Sequence, residues 1–290
     1  MSLRKSIKKW VYGYVPGMAG RFRYYGTKVH FRPASDIWPI WVDEGIYEAR
    51  ILALILGVVR PATWYFDIGT NIGLMSVPIL HAIRDAHVVS FEPSRNSRMY
   101  LKKTWESSPY RDRWKVIEKA VSDTPGHVQF NLSAADHAGY DGIKPTARTA
   151  SIAVDTVEAT TLDAEWQALG RPPVSCIKMD VEGAEMMALR GAQELIATTR
   201  PYIFLEWYEQ NFRPFGCTAE QILEEAERFD YDVINVDTLS PVISAATLAL
   251  SMRLTASFVL APRGGSGRLA AESTSRFENL ESGLRQVPAS

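Results

Sequence analysis

Residues 66–73 read Phe-Asp-Ile-Gly-Thr-Asn-Ile-Gly, an acid closing a β-prone run and two glycines opening a helical pattern. Thr63, Trp64 and Tyr65 favour a strand before it, and Leu74, Val77 and Leu80 recur at helical spacing after it. A strand, a glycine turn and a helix start make the ligand-binding corner of a doubly wound α/β sheet. The spacing is Asp-x-Gly-x-Asn-x-Gly and not Gly-x-Gly-x-x-Gly. A pyrophosphate needs a bare helix N-terminus. Here Asp67 and Asn71 crowd the corner formed with Gly69, Thr70 and Gly73. Such a corner suits a ligand with an ammonium and a carboxylate end and no phosphate, and S-adenosylmethionine is one.

The next strands extend this reading. His87–Phe91 is apolar and ends in Glu92-Pro93, with Glu92 lying 19 residues after Gly73. An acid at that distance, at a strand's C-terminal end, is placed to accept the hydroxyls of a ribose. Pro93 sets the chain's exit and Ser94 is an N-cap for the following helix. A third strand, Lys115–Glu118, leads to Ala120-Val121-Ser122-Asp123, where Ser122 or Asp123 can reach an adenine amino group. Asp123 also reads as a turn acid before a strand at 127–130. A buried-type strand from Val174 ends in Asp180, Glu182 and Glu185. Open α/β sheets bind ligands outside the strand C-termini. Asp180 and Glu182 are therefore expected in one crevice with Asp67 and Glu92, and Glu185 in the first turn of the next helix. That helix is expected to run on through Leu195.

The rest of the chain supports an alternating sheet. Glu44–Val59 reads as a lead-in helix, with Tyr47 and Glu48 at its start able to close over the cofactor. Residues 133–157 break the alternation and are read as an insertion over the site's rim, a loop plus a strand in which Ser151-Ile152-Ala153-Val154 alternates. Thr161 caps a short helix, 202–207 is a fifth strand, and Thr218–Gln221 is a capping-box pattern. Residues 231–236 and 258–261 are expected as an antiparallel pair at one edge. The domain expectation is an extension over 1–43, a core over 44–262 and a mobile tail over 263–290.

Composition fits a folded enzyme: 290 residues, 46% apolar, can bury a full core. The formal charge of −1 offers no global field for nucleic acid. Two cysteines without a CxxC pairing point to a reducing compartment, the cytoplasm. The five histidines lack metal-ligand spacing. No apolar run reaches the roughly 20 residues of a membrane span, and no cleavable signal pattern is expected.

The ordered motifs Asp67–Gly73, Phe91–Pro93, Ala120–Asp123, Thr161–Asp163, Lys178–Glu185, Leu189–Ala192 and Arg200-Pro201 with Glu206 resemble those of the FkbM family of methyltransferases. The resemblance runs from about residue 45 to 210. It implies an S-adenosylmethionine-dependent transferase on a Rossmann-like, seven-strand class I methyltransferase sheet. It also implies a small-molecule hydroxyl acceptor, a sugar or secondary metabolite. The fourth strand ends in Asp-Val-Glu-Gly, not in the Asn/Asp-Pro-Pro-aromatic signature of many nitrogen methylators, which favours oxygen. Cofactor contacts are assigned to Glu48, Asp67, Gly69, Thr70, Asn71, Gly73, Glu92, Pro93, Ser122 and Asp123. Asp180, at a strand end beside the methyl site, is the first candidate base. His137, in a glycine-flanked rim loop, is the second, since an imidazole titrates near neutrality. The reading adopted is metal-free; the alternative places magnesium or calcium on Asp180, Glu182 and Glu206. A nicotinamide oxidoreductase and a noncatalytic binding protein are the competing classes.

The N-terminus has its own pattern. Residues 1–35 carry eight Lys/Arg and no acid. Leu3, Ile7, Trp10, Val11 and Tyr14 fall on one helical face, and Arg4, Lys5, Lys8 and Lys9 fill much of the rest. Two readings follow: a helix packed on the core as a wall of the acceptor site, or peripheral membrane contact through residues 1–14.

Overall fold

The computed structural model describes residues 3–15, 19–33, 35, 45–145, 148, 150–267 and 269. After a helix, Leu3–Tyr14, strands β1 (Arg21–Tyr24) and β2 (Thr27–His30) form an antiparallel hairpin. The domain then supplies β3 (Trp64–Ile68), β4 (His87–Phe91), β5 (Trp114–Ile117), β6 (Ala120–Val121), β7 (Gly126–Leu132), β8 (Ala153–Thr160), β9 (Val174–Met179), β10 (Tyr202–Glu206), β11 (Tyr231–Asn235) and β12 (Ser257–Pro262).

Seven of these make the central sheet, in the order β11-β12-β10-β9-β3-β4-β5. All neighbours are parallel except β12, which runs antiparallel between β10 and β11. This is the class I methyltransferase arrangement. The expected edge pair is present, with β12 joining it to the rest of the sheet. β9 is buried along its whole length. A central strand covered on both faces must be apolar throughout, which makes its Lys178 an anomaly to be explained.

Alternate residues of each strand serve two cores, as a pleated strand requires. Tyr65, Val88 and Cys176 join Leu52, Ile55, Val77, Leu80 and Leu101 on one face. Phe66, Val89 and Ile177 join Leu162, Trp166, Leu189, Leu195 and Ile222 on the other. β6, β8 and β7 form a separate small sheet at the domain's side.

Three local expectations change. The lead-in helix begins at Ala49, and Glu48 stands before it at φ 44°. The helix after β9 is broken into Glu185–Arg190 and Gln193–Thr199. The break brings Gly191 so close to the backbone of Ser122 that a Cβ there would lie 2.2 Å from its carbonyl oxygen. A continuous helix carrying side chains could not pass that point. The strand expected to end within the rim insertion instead runs on to Thr160, because β8 pairs with the whole of β7. Thr161 caps its helix, accepting from the Ala164 N–H at 3.1 Å. Most of the tail, residues 36–43 of the extension and Glu44 of the core lie outside the described residues.

Candidate active site

The strand ends define the site. Ile68 pairs with Phe91 on one side and Met179 on the other, and Met179 pairs with Leu205. The C-terminal ends of β3, β4, β9 and β10 therefore open at one level, where Gly69, Glu92, Asp180 and Glu206 face one cleft. It is lined on one side by Gly69, Asn71, Glu92, Pro93, Val121 and Phe130. On the other it is lined by Tyr47, Glu48, Asp67, His137, Tyr140 and Arg148, with Lys178, Glu182 and Glu206. Gly69, Asn71 and Asp180 belong to both sides, which makes the cleft continuous.

The glycine corner is shaped by close approach. Gly69 has φ 78°, and a Cβ there would lie 1.9 Å from the Asp180 carbonyl oxygen. Only glycine fits between β3 and β9 at this turn. Gly73 has φ 92°, and a Cβ would meet the Trp114 ring at 2.9 Å. Asn71 takes the left-handed conformation at φ 53°, which asparagine tolerates better than most residues. Asp67 is fully buried and accepts from Thr70 Oγ1 at 2.6 Å and Ser76 Oγ at 2.5 Å. Burial raises its pKa, against those two hydroxyls and the charge of Lys178.

Glu92 clamps the corner. Its Oε2 accepts from the Asn71 N–H at 2.8 Å and its Oε1 from the Ser94 N–H at 2.9 Å. Each oxygen keeps a further lone pair for a ligand hydroxyl. Burial pushes this carboxyl up to about 8, against the two N–H donors. Ser94 caps its helix as expected, accepting from the Asn96 N–H at 3.1 Å. Asp141 accepts from Ser94 Oγ at 2.5 Å and from the Ser133 N–H at 2.6 Å, which ties the rim insertion to this wall. Ser122 and Asp123 bond each other at 3.2 Å and do not line the cleft; Ala120 and Val121 do.

The opposite wall is a charge cluster. Lys178, buried on β9, donates to Asp180 Oδ2 at 2.9 Å and lies 3.6 Å from Glu48 Oε2. Burial works against its charge, but Asp180, Glu48, Asp67 and Tyr47 together hold its pKa well above the ordinary value. That explains a lysine in an otherwise apolar strand: it neutralises carboxylates arriving from the ends of β3 and β9 and from the start of the lead-in helix. Beyond Asp180, burial and the neighbouring Asp180 and Glu206 push Glu182 up to about 9, against Arg148. Burial and Asp180 push Glu206 up to about 7, against Arg148 and Lys178. Arg148 lies 3.4 Å from Glu182 and 3.7 Å from Glu206, and its guanidinium covers the Tyr140 ring at 4.4 Å. Asn211 donates to Glu182 at 2.8 Å and to Glu206 at 3.2 Å. One oxygen each of Asp180, Glu182 and Glu206 lies within 4.8 Å of the others, a spacing a divalent ion could bridge. Glu185 instead braces the loop, accepting from the Val181 and Gly183 N–H groups at 3.2 and 3.3 Å.

The structure thus brings together Glu48, Asp67, Gly69, Thr70, Asn71, Glu92, Pro93, Asp180 and His137 at the cleft. Gly73 shapes the turn from behind. Sequence reasoning missed Lys178, Arg148, Tyr140 and Asn211. Lys178 had a signal, a lysine in a buried-type strand; the others come from an irregular loop and a short helix and had none.

A seven-strand sheet of this order with a glycine corner and an acid at the C-terminal end of each of β3, β4 and β9 defines a class I methyltransferase fold. The methyltransferase FkbM domain model matches residues 67–233, more than half of the chain, and the chain belongs to that family. This sets it among methyltransferases rather than nicotinamide oxidoreductases. It is 27% identical over 183 residues to 2-O-methyltransferase NoeI of Sinorhizobium fredii, covering 59% of this chain and 74% of that protein. A solved FkbM methyltransferase from Methylobacillus flagellatus aligns over 74% of this chain with a TM-score of 0.47 and 15% identity. The chain spans about half, 48%, of that structure's length. An O-methyltransferase from a Brevibacillus brevis multienzyme, solved with S-adenosyl-L-homocysteine, aligns over 85% of this chain and 86% of its own, with a TM-score of 0.40 and 11% identity. No helix among the described residues is long and apolar enough to cross a membrane.

Proposed function

We propose that this chain transfers a methyl group from S-adenosylmethionine to a hydroxyl oxygen of a small molecule, a sugar or another polyhydroxylated metabolite. One observation carries the reading: a single cleft joins the Glu92-braced glycine corner to a wall of carboxylates at Asp180. The cleft's two halves fit the two ends of the cofactor. Ile68, Phe91, Val121, Phe130 and Ile143 give apolar walls for a flat base, and Glu92 offers acceptors for ribose hydroxyls. Asp67, Glu48 and Asp180 supply negative charge for an ammonium group. When bound, the cofactor supplies an electrophilic methyl carbon on a sulfonium.

The chain's own residues do the remaining work. Alignment in a closed cleft accounts for much of the barrier reduction in such transfers, up to about 7–11 kcal/mol in favourable models. Asp180, oriented by Lys178, accepts the acceptor's hydroxyl proton. His137, on the rim, is the alternative proton acceptor. Glu182, Glu206 and Tyr140 offer hydrogen-bond partners for further hydroxyls. The relative named as a 2-O-methyltransferase supports oxygen as the methylated atom. A cytoplasmic location belongs to the same reading, supported by the free cysteines Cys176 and Cys217.

The experiment is a methyl-donor assay against a panel of glycosylated and hydroxylated metabolites. Transfer to oxygen is expected. Transfer only to amines, or binding of S-adenosylhomocysteine without any turnover across the panel, would overturn it.

A further inference from the structure

We propose that the N-terminal helix and hairpin form a docking surface for an anionic membrane face. The helix Leu3–Tyr14 is held to the domain from one side. Tyr12 meets Phe22 of β1 edge-on, with ring centroids 6.4 Å apart, and the Gly20 N–H donates to the Tyr12 carbonyl at 3.0 Å. Another side carries Ile7, Trp10 and Tyr14, whose spacing of three and four sets them on one stripe. They are 52%, 61% and 76% exposed. The same helix was expected as a wall of the acceptor site, but no described residue before Tyr47 lines the cleft. Its apolar stripe faces outward. Tryptophan and tyrosine are the residues that settle at a bilayer's headgroup level.

The hairpin beside it adds charge. Phe22, Tyr24, Thr27 and Val29 point inward, while Arg21, Arg23 and Lys28 are exposed. Arg23 lies directly opposite Lys28, and Arg21 opposite His30. Like charges across a ladder destabilise a two-strand ribbon, and an anionic surface removes that penalty. The crowding is felt at His30, whose pKa is lowered by burial and then by Lys103, Lys28 and Arg21, with Glu106 acting the other way. The first 35 residues hold eight cations and no acid in a chain of net charge −1.

Charge complementarity and the aromatic stripe together select the occupant. A second copy would bring two cationic hairpins against each other. A nucleic acid would use the cations and leave the apolar stripe in water. A membrane surface uses both, with cations held at the headgroups and the stripe in the interface.

Vesicle co-sedimentation of the full chain tests this, using phosphatidylcholine with and without phosphatidylserine. Binding is expected only with phosphatidylserine, and it falls as salt is added. Arg23→Gln with Lys28→Gln weakens it roughly thirtyfold, at the usual contribution per surface cation. Ile7→Ser with Trp10→Ser also weakens it, while the melting temperature of each variant shows that the domain stays folded. Equal sedimentation with neutral vesicles, no sedimentation, or full binding by the folded Ile7/Trp10 variant overturns the proposal. So does a dimer in solution that Trp10→Ser abolishes without any vesicle binding.

Discussion

At the scale of single residues, the cleft is an exercise in keeping buried carboxylates in balance. Glu92 is expected to hold the ribose through the lone pairs its two N–H donors leave open. Above about pH 8, where the Glu92 carboxyl is ionised, Glu92→Ala should weaken S-adenosylhomocysteine binding by about 1.5–3 kcal/mol, the scale of hydrogen bonds to a charged group, as read by calorimetry. Asp180→Asn should lower turnover roughly 10²–10⁴-fold while leaving cofactor affinity nearly intact. If turnover survives that change, the proton leaves through His137. Lys178 stands between Asp180, Glu48 and Asp67 and is itself buried. Lys178→Met strands those charges, and breaking a buried pair costs about 3–5 kcal/mol. A denaturant melt should record it, and retention of wild-type stability would mean that the carboxylates are neutralised another way.

At the scale of elements, two glycines with different surroundings separate close approach from backbone conformation. Gly191, between the two short helices after β9, has no strained φ, but a Cβ there meets the Ser122 carbonyl at 2.2 Å. Gly170, after the Leu162–Ala168 helix, has φ 84° and open space around it. Gly170→Ala should cost about 1 kcal/mol, the left-handed penalty alone. Gly191→Ala should cost about 3 kcal/mol, the upper range for forcing atoms into a packed site. Equal losses in thermal unfolding would show that the contact at Ser122 relaxes freely. The broken helix was not legible in the sequence for this reason. Ala184, Ala188, Gly191 and Leu195 share a helical face in one dimension, and the obstacle at Ser122 comes from the turn after β6, some seventy residues earlier. By contrast, the Thr161 and Ser94 caps were legible, because a cap is satisfied within three residues of itself.

For the whole molecule, burial of carboxylates around one cleft couples stability to pH. Glu92 and Glu185 are pushed up to about 8, Glu182 to about 9 and Glu206 to about 7 from a reference of 4.5. Between the reference value and these raised values, the folded state binds more protons than the unfolded one. Stability is therefore fully present below about pH 4.5 for these groups and is lost as pH rises through about 7 to 9. The melting temperature of the free protein should fall by several degrees across that window. Glu92→Gln should flatten the fall, since an amide does not titrate. A melting temperature that rises over the same window would contradict the burial of these groups.

The sequence by itself determined the sheet's existence, the glycine corner and the acids at the ends of β3, β4 and β9. Each of these is a short-range pattern whose chemistry is complete within about ten residues. It also determined an amphipathic, basic N-terminus, since charge and helical spacing need no neighbour. The tertiary structure alone decided that Ala120 and Val121, not Ser122 and Asp123, line the cleft. It alone set Lys178 among Glu48, Asp67 and Asp180, brought Arg148 over Tyr140, and turned Ile7, Trp10 and Tyr14 outward. These are contacts between segments far apart in the chain. Their energies depend on burial and on which charges meet, and neither exists until the strands have paired.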